Sequence, residues 1–599
     1  MIGLSRRIVA LGVLALVFLA LAGRLAYMQL VQVGYYRTIA NENRIRMISL
    51  AAPRGRILDC NGVPLVVNRP AFSVSVVPAD FRGDRPRARL AEALQISTEA
   101  LGERLRKQTS LPLEPVVVNR DADLRLVSRI EERIEDVSGV MISTDPVREY
   151  PTAAWAGHLL GYTRAVGERD LNKRDKTGAP LRGDIGAAGL ERWYDDLLRG
   201  VDGVGYRQIN AYGQALGPMA EYPDIPPIPG DELRLTIDVR LQALADSLLR
   251  DYVAGTVVAI DVRTGAVVCL ETRPGFDANH FVGGMTANEW DSLRSDSLHP
   301  LMTRATMGLY PPGSTSKLVT MAAALESGAM TTSQRLSPCT GGYRFGNRVF
   351  GCWKKGGHGS LDMFGAIEQS CDVYWYQAIQ RFGLPVWAHH ARTSGLGRPT
   401  GIQLPGELNG NVPDEPYLDR KYGKGKWSRG LLLNFSIGQG ELLVTPLQLV
   451  QYFAAIANDG VGMRPQLLAA HRAEGGSWVT TKPEAAFQLP YKKVTIEAMQ
   501  RACRLVVDGD HGTAIGIRDH QVRMAGKTGT AQNPHGNEHA WFVGYAPSEA
   551  PRVAVVALVE NVGHGSEFAA PICLEIAKAY LAIDANGIAL NTRLSSESN

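Results

Sequence analysis

The sequence predicts an α+β multidomain protein: an N-terminal transmembrane helix, an elongated α+β pedestal, and a larger C-terminal domain in which a sheet is flanked by helices. Three observations predict it. Residues 8–23 form an uncharged apolar run directly after Arg6 and Arg7. Residues 221–231 carry Pro223, Pro226, Pro227 and Pro229, a stiff stretch that can be neither helix nor central strand and so divides two domains. On both sides of it, segments of period two alternate with segments of helical period. A chain of 599 residues with 45% apolar content can bury several cores.

The apolar character resumes after Arg24 through Leu25, Ala26, Tyr27, Met28 and Leu30, which extends the run to membrane-span length and puts Tyr27 at an interface. A cleaved signal peptide is the competing reading, because Ala20-Leu21-Ala22 resembles a cleavage site. The continuation past Arg24 favours an uncleaved anchor with Arg6 and Arg7 on the cytoplasmic side. A net charge of +4, with no basic run interleaved with aromatics, excludes nucleic acid as a partner. The seven cysteines are odd in number and scattered, so they make no disulfide framework.

In chain order, residues 35–47 read as a helical neck, and residues 53–62 as a strand turning at Asn61-Gly62. Residues 71–77 alternate like a strand. Residues 116–118 lead into a helix capped by Asp121, with Leu124, Val127, Ile130 and Ile134 on one face, and residues 140–143 form the next strand. Arg148-Glu149-Tyr150-Pro151 and residues 186–191 read as structural turns in preference to functional contacts. Beyond the prolines, strands are expected at 233–237, 256–262, 266–269, 522–525, 540–545 and 553–559, the last fully buried. Helices are expected at 241–249, around Ser314 and Ser370, at 446–458 and at 572–583. The domains are then 1–33, 34–230, 231–584 and a flexible tail, 585–599.

The stretch Tyr310-Pro311-Pro312-Gly313-Ser314-Thr315-Ser316-Lys317 runs into an apolar helix that stops at Gly328. The prolines forbid helix before Gly313, so Ser314 sits at a helix start with Lys317 three residues on and on the same face. An unprotonated lysine there can take the hydroxyl proton as Ser314 attacks a carbonyl. A helix cap with a solvated lysine explains an isolated S-x-x-K better, so the case rests on partners elsewhere.

Two partners exist: Ser370-Cys371-Asp372 after a helical stretch, and Lys527-Thr528-Gly529-Thr530 at the end of a strand. Acyl transfer to serine needs a base (Lys317), a hydroxyl to relay a proton to the leaving amine (Ser370), and a cation for a carboxylate-bearing substrate (Lys527). Thr528 and Thr530 can hydrogen-bond that carboxylate, and Gly529 leaves room for substrate against the strand edge. In order and setting, the three motifs resemble the penicillin-recognising acyltransferases. Asp372 stands where the general pattern has Asn. A carboxylate there favours the charged form of the Lys317 amine.

The resemblance covers nearly the whole chain: the anchor, Arg54-Gly55-Arg56-Ile57, Gly189-Leu190-Glu191, Thr236-Ile237-Asp238, residues 353–361, Gly438-Gln439-Gly440 with Thr445-Pro446-Leu447-Gln448, and residues 539–544. It is similar to the class B penicillin-binding proteins of cell elongation. The resemblance implies a β-lactamase-like transpeptidase domain behind a non-catalytic, dimerisation-type pedestal, and an oxyanion hole at the backbone N–H groups of Ser314 and Thr530. It also implies peptidoglycan stem peptides ending in D-Ala-D-Ala as substrate, inhibition by β-lactams, and no organic cofactor. Partners would be a SEDS-family glycosyltransferase and elongation-complex proteins. The location would be the bacterial inner membrane, single-pass, with the catalytic domain in the periplasm.

A β-lactamase of the common serine class needs E-x-x-L-N, and Glu407-Leu408-Asn409 has the wrong spacing. A D,D-carboxypeptidase shares all three motifs, but the pedestal and anchor fit a transpeptidase better. A non-catalytic penicillin sensor or scaffold is the third reading, and intact Ser314, Lys317 and Lys527 argue against it.

Cys339, Cys352, His358 and Cys371 are spaced C-x12-C-x5-H-x12-C, wholly between the first two motifs. Three thiolates and an imidazole suit a closed tetrahedral zinc site of structural kind. A disulfide with a free thiol, or buried cysteines, are the other readings. Relatives of the elongation type can carry a metal at corresponding positions.

Overall fold

The protein is described from a computed structural model covering residues 2–36, 45–108, 115–133, 136–151, 153–167, 170, 183–209, 215–219, 221–533 and 536–585. The expected tail after 585 lies outside these residues. The helix Ile2–Ala26 continues into a π-helical turn, Tyr27–Val31. The stretch Arg7–Val31 is long and apolar enough to cross a membrane, and none of it is buried against the protein.

The expected helical neck ends in a strand instead. Ile45–Leu50 pairs antiparallel with Gly203–Ile209, from Ile45 opposite Gln208 to Leu50 opposite Gly203, and residues 37–44 lie outside the described residues. Ile45, Met47 and Ile48 fit a pleated surface, and the pairing overrides their local helical reading. The predicted turn is present: Ile57–Leu58 folds back onto Pro64–Val76, and the Asp59 carboxylate accepts from Asn61 N and Val63 N, each at 2.8 Å. Pro64–Val76 is flanked by Val116–Ala122 and Val140–Glu149.

Two details of the predicted pedestal helix differ. Asp123, not Asp121, caps Leu124–Glu131 by accepting from Leu126 N at 2.7 Å. Asp121 adopts φ 61° and pairs with Arg69. Val127 and Ile130 are buried, but Leu124 is 68% exposed because it occupies the first helical position beyond the sheet. Ile134 lies outside the described residues.

The segments read as turns around Arg148 and Glu191 converge on a buried ion cluster. Glu191, fully buried, accepts from Arg54 Nη2 at 2.7 Å and from Arg148 Nε at 2.6 Å, and Arg54 also reaches Asp195 at 2.9 Å. Burial alone would raise the Glu191 carboxyl, but the two guanidiniums hold it below its ordinary range. Three stretches far apart in sequence are pinned here by charge.

The proline-rich connector is tied down by bridges, Val201 to Ile228 and Val204 to Ile225. The sheet also crosses it: Glu232–Leu235 pairs parallel with Ile57–Leu58 on one side and antiparallel with Leu468–Arg472 on the other. The C-terminal half is thus stitched by backbone hydrogen bonds to the pedestal.

The C-terminal half is built on a five-stranded antiparallel sheet in the order Val267–Arg273, Gly255–Asp261, Val553–Val559, His539–Ala546, Ala525–Ala531. Val553–Val559 is buried at every position, so both faces are covered, and the helices Pro446–Ala457 and Ala569–Ala585 both pack on it. The strand expected at 522–525 runs from Ala525 to Ala531. Lys527, Thr528 and Gly529 therefore lie within an edge strand and not at a strand end, because pairing with His539–Ala546 overrides their poor strand propensity.

Candidate active site

Gly313–Ser316 is a single turn of 3-10 helix that leads into the α-helix Lys317–Glu326, as the prolines require. The turn is held from three sides. Gly313 N donates to Gly438 O at 2.9 Å, Thr315 Oγ1 donates to Pro312 O at 2.7 Å, and Trp541 Nε1 donates to Pro311 O at 3.2 Å. Ser314 is half-buried, whereas Lys317 is fully buried.

Lys317 Nζ donates to Ser370 O at 2.8 Å, Ser370 Oγ at 3.2 Å and Asp372 Oδ1 at 2.6 Å. Lys317 Nζ is thus turned toward the second motif, and the direct Ser314–Lys317 hydrogen bond that the spacing suggests is not made. Catalytic hydrogen bonds often tighten only when substrate is bound. Ser370 adopts φ 54°, a left-handed conformation that a non-glycine residue holds only under local constraint. The constraint is visible: Ser370 N donates to Ile367 O at 3.1 Å and Cys371 N to Ala366 O at 3.0 Å.

Lys527 Nζ lies 3.0 Å from Ser370 Oγ and donates to Thr528 O at 3.1 Å. Full burial, with the Lys317 charge nearby, pushes the Lys527 amine well below its ordinary value, against the pull of Asp372. Asp372 is pushed up by burial and pulled down by Lys317, with a net rise. Its other oxygen accepts from Trp353 N at 3.1 Å.

A Cβ at Gly529 would meet Pro312 O and Thr315 Cγ2, each at 2.9 Å, so the glycine also admits the serine turn. Gly313 faces Thr530: a Cβ on it would lie 2.8 Å from Thr530 O and 3.3 Å from Thr530 N. The backbone of Gly313, one residue before Ser314, therefore adjoins that of Thr530. Glu407 caps a loop, accepting from Thr400 N at 2.8 Å and Gly401 N at 3.1 Å. It belongs to none of the three motifs.

Two supports were not assigned roles by the sequence reading. Gln439 Nε2 donates to Thr530 O at 3.0 Å, and its signal was the flanking Gly438 and Gly440. Glu560 accepts from Tyr310 Oη at 2.7 Å and from buried Arg304 at 2.6 Å, which anchors the residue that precedes the prolines. No local pattern marks Glu560, because its partners are remote in sequence.

The cysteine cluster is assembled by a hairpin. Gly342–Phe345 pairs with Arg348–Gly351, Cys352 N donates to Gly341 O at 2.9 Å, and Cys339 exchanges hydrogen bonds with Gly359. The ligand atoms of Cys339, Cys352, His358 and Cys371 all lie within 4.8 Å of one another, and all seven cysteines are free thiols. His358 Nδ1 is 3.5 Å from Cys352 Sγ and 3.7 Å from Cys339 Sγ. A tetrahedral zinc with bonds of about 2.0–2.3 Å separates its ligands by roughly 3.5–3.8 Å, so the donor set fits such an ion. A hydrogen bond from Cys371 pulls Cys352 toward thiolate and holds Cys371 as the thiol.

With this geometry in place, comparison with known proteins defines the class. The penicillin binding protein transpeptidase domain matches residues 255–578, and the penicillin-binding protein dimerisation domain matches residues 49–235. The chain belongs to the penicillin-binding protein transpeptidase family. Within that family the likeness is to penicillin-binding protein 2. The peptidoglycan D,D-transpeptidase MrdA of Acinetobacter baumannii is 32% identical over 94% of this chain and 85% of its own length. MrdA of Escherichia coli K12 is 30% identical over 93% of this chain and 90% of its own length. Among solved structures, Helicobacter pylori PBP2 in complex with MreC aligns with TM-score 0.77 at 28% identity, covering 90% of this chain and 99% of that one. Pseudomonas aeruginosa PBP2 in complex with WCK 5153 aligns with TM-score 0.66 at 28% identity, covering 90% and 97%.

Proposed function

We propose that the protein is a serine-type peptidoglycan D,D-transpeptidase that cross-links stem peptides during lateral wall elongation. The observation that carries this is the convergence of two buried amines, Lys317 and Lys527, on the single hydroxyl of Ser370, beside the turn that presents Ser314. Ser314 Oγ attacks the carbonyl of the penultimate D-alanine while Lys317 takes its proton. The oxyanion forms between the N–H groups of Ser314 and Thr530. Ser370 passes its proton to the departing D-alanine amine and regains the one that Lys317 took from Ser314, across their 3.2 Å contact, while Lys527, Thr528 and Thr530 hold the terminal carboxylate. An acceptor amine then attacks the acyl-enzyme, releases Ser314 and completes the cross-link. Asp372 keeps the Lys317 amine beside Ser370.

The cysteine cluster holds a structural zinc in this reading, with Cys339, Cys352, His358 and Cys371 as ligands. When bound, the ion supplies cross-linking of the hairpin to the second motif. Cys371 is the middle residue of that motif, so ligation there would fix the backbone that aims Ser370. The domains divide as 1–33 anchor, 34–230 pedestal, 231–584 transpeptidase and 585–599 tail. In this reading the protein is a single-pass inner-membrane protein with a periplasmic catalytic domain, which the one long apolar helix supports. Its partners are elongation-complex proteins, as supported by a neighbour solved with MreC, and a SEDS-family glycosyltransferase.

The test is to supply labelled, uncross-linked peptidoglycan strands and separate the products. Cross-linked dimers are the expected outcome. Release of D-alanine without dimers would make the protein a carboxypeptidase, and failure to acylate at all would leave only a sensor or scaffold.

A further inference from the structure

The loop between the helix Lys493–Asp508 and the edge strand Ala525–Ala531 brings one more hydroxyl to the site. Thr513 Oγ1 lies 2.8 Å from Thr528 Oγ1. Lys527 Nζ approaches the same Thr528 oxygen at 3.4 Å. Among the described residues these are the only partners of the two hydroxyls. Thr528 is nearly buried, whereas Thr513 is half-exposed toward solvent.

Proton counting then gives the pair a direction. Each threonine hydroxyl has one proton to donate, and the ammonium form of lysine, the form that meets an anionic substrate, only donates. The two hydroxyls have two protons, and the single contact between them uses one. Whichever way that bond points, one O–H remains without a protein acceptor. When Thr513 is the donor, the remaining O–H is that of buried Thr528 beside the Lys527 amine, where an anionic oxygen can accept it.

The loop is not free to drift from this position. Thr513 N donates to Glu368 O at 3.2 Å, His511 N donates to Glu368 Oε1 at 2.9 Å, and Ala514 N donates to Val506 O at 2.9 Å. Gly512 packs so closely that a Cβ would lie 2.4 Å from Val506 O. Glu368 ends the helix Met363–Glu368, two residues before Ser370. One helix end therefore fixes both Ser370, which Lys527 touches, and Thr513, which touches Thr528.

We infer that Thr513 is a positioning residue that orients the Thr528 hydroxyl toward the terminal carboxylate of the acyl donor, so that this loop sets the preference for a free carboxylate. The inference rests on the acyltransferase reading above. With Thr513 donating to Thr528, the Thr528 oxygen accepts from Thr513 and Lys527, and its own proton faces the anion. Without Thr513, only the longer 3.4 Å contact from Lys527 orients the Thr528 hydroxyl, and the seat loses its preset donor.

The test compares acylation rate constants for a penicillin carrying its free carboxylate and for its methyl ester, in the intact protein and in variants. In Thr513→Val the ratio of carboxylate to ester rate constants should fall about tenfold, the scale of one charge-assisted hydrogen bond. In Thr513→Ser it should return to within about twofold of the parent, since the hydroxyl is restored. Thr513→Ala removes the hydroxyl without a branched replacement and should give the same fall if the valine variant does not fold. An unchanged ratio, or an equal loss on both compounds, would make Thr513 a loop support only and overturn the inference. If the parent itself is not acylated, the acyltransferase reading fails first and takes this inference with it; a parent that is acylated without contrast overturns the inference alone.

Discussion

The Ser370 hydroxyl and the Lys527 amine lie 3.0 Å apart, and Lys317 approaches the same oxygen from 3.2 Å. Ser370 holds φ 54° to meet them, at a cost of about 1–3 kcal/mol for a non-glycine residue. That conformation is kept by backbone bonds and by Lys317 donating to Ser370 O, none of which involves the Ser370 side chain. Ser370→Ala should therefore fold with little change in thermal unfolding. Acylation by labelled penicillin should slow by about a hundredfold or more, the scale of a lost proton relay.

Lys527 gives a pH dependence with a definite sign. Its folded pKa is depressed well below 10.5, chiefly by burial, so between the folded value and 10.5 the unfolded chain binds more protons than the folded one. Stability from this group then rises with pH across that window, and below it the buried ammonium is a standing cost. Lys527→Met removes the term. Measured by denaturant unfolding without substrate, the wild type should gain on the variant as pH rises toward 10.5. A constant difference would contradict the assignment.

The three motifs were legible because their chemistry demands fixed residue types at short spacing, and the prolines at 311 and 312 mark where the serine helix can begin. What was not legible depends on partners distant in sequence. Lys527 lies inside a strand because residues 539–546 pair with it. Ile45–Leu50 is a strand because residues 203–209 complete it. Gly529 makes room for Pro312 and Thr315, a contact no local pattern records. Arg54, Arg148 and Glu191 each read as parts of ordinary turns, and only the fold joins them.

That cluster makes its own prediction. Glu191→Gln leaves Arg54 and Arg148 buried around a neutral group, and breaking a buried pair in this way costs about 3–5 kcal/mol. Thermal unfolding should show the loss. Acylation per folded molecule should be unchanged, because the cluster lies in the pedestal.

Zinc is tested by content before activity. Protein purified without chelator should carry close to one zinc per chain by elemental analysis, and Cys352→Ser should lose it together with thermal stability. Trp353 N, next to Cys352, donates to Asp372, so the acylation rate of that variant should fall as well. A metal-free protein with a Cys339 to Cys352 disulfide would refute the site.

The central claim is that Ser314 is the acylated nucleophile. Labelled penicillin, followed by proteolysis and mass mapping of the adduct, tests it most directly. The account predicts a single penicilloyl group on Ser314, and no label on a folded Ser314→Ala variant. An adduct on any other residue, or undiminished labelling of that variant, would contradict it.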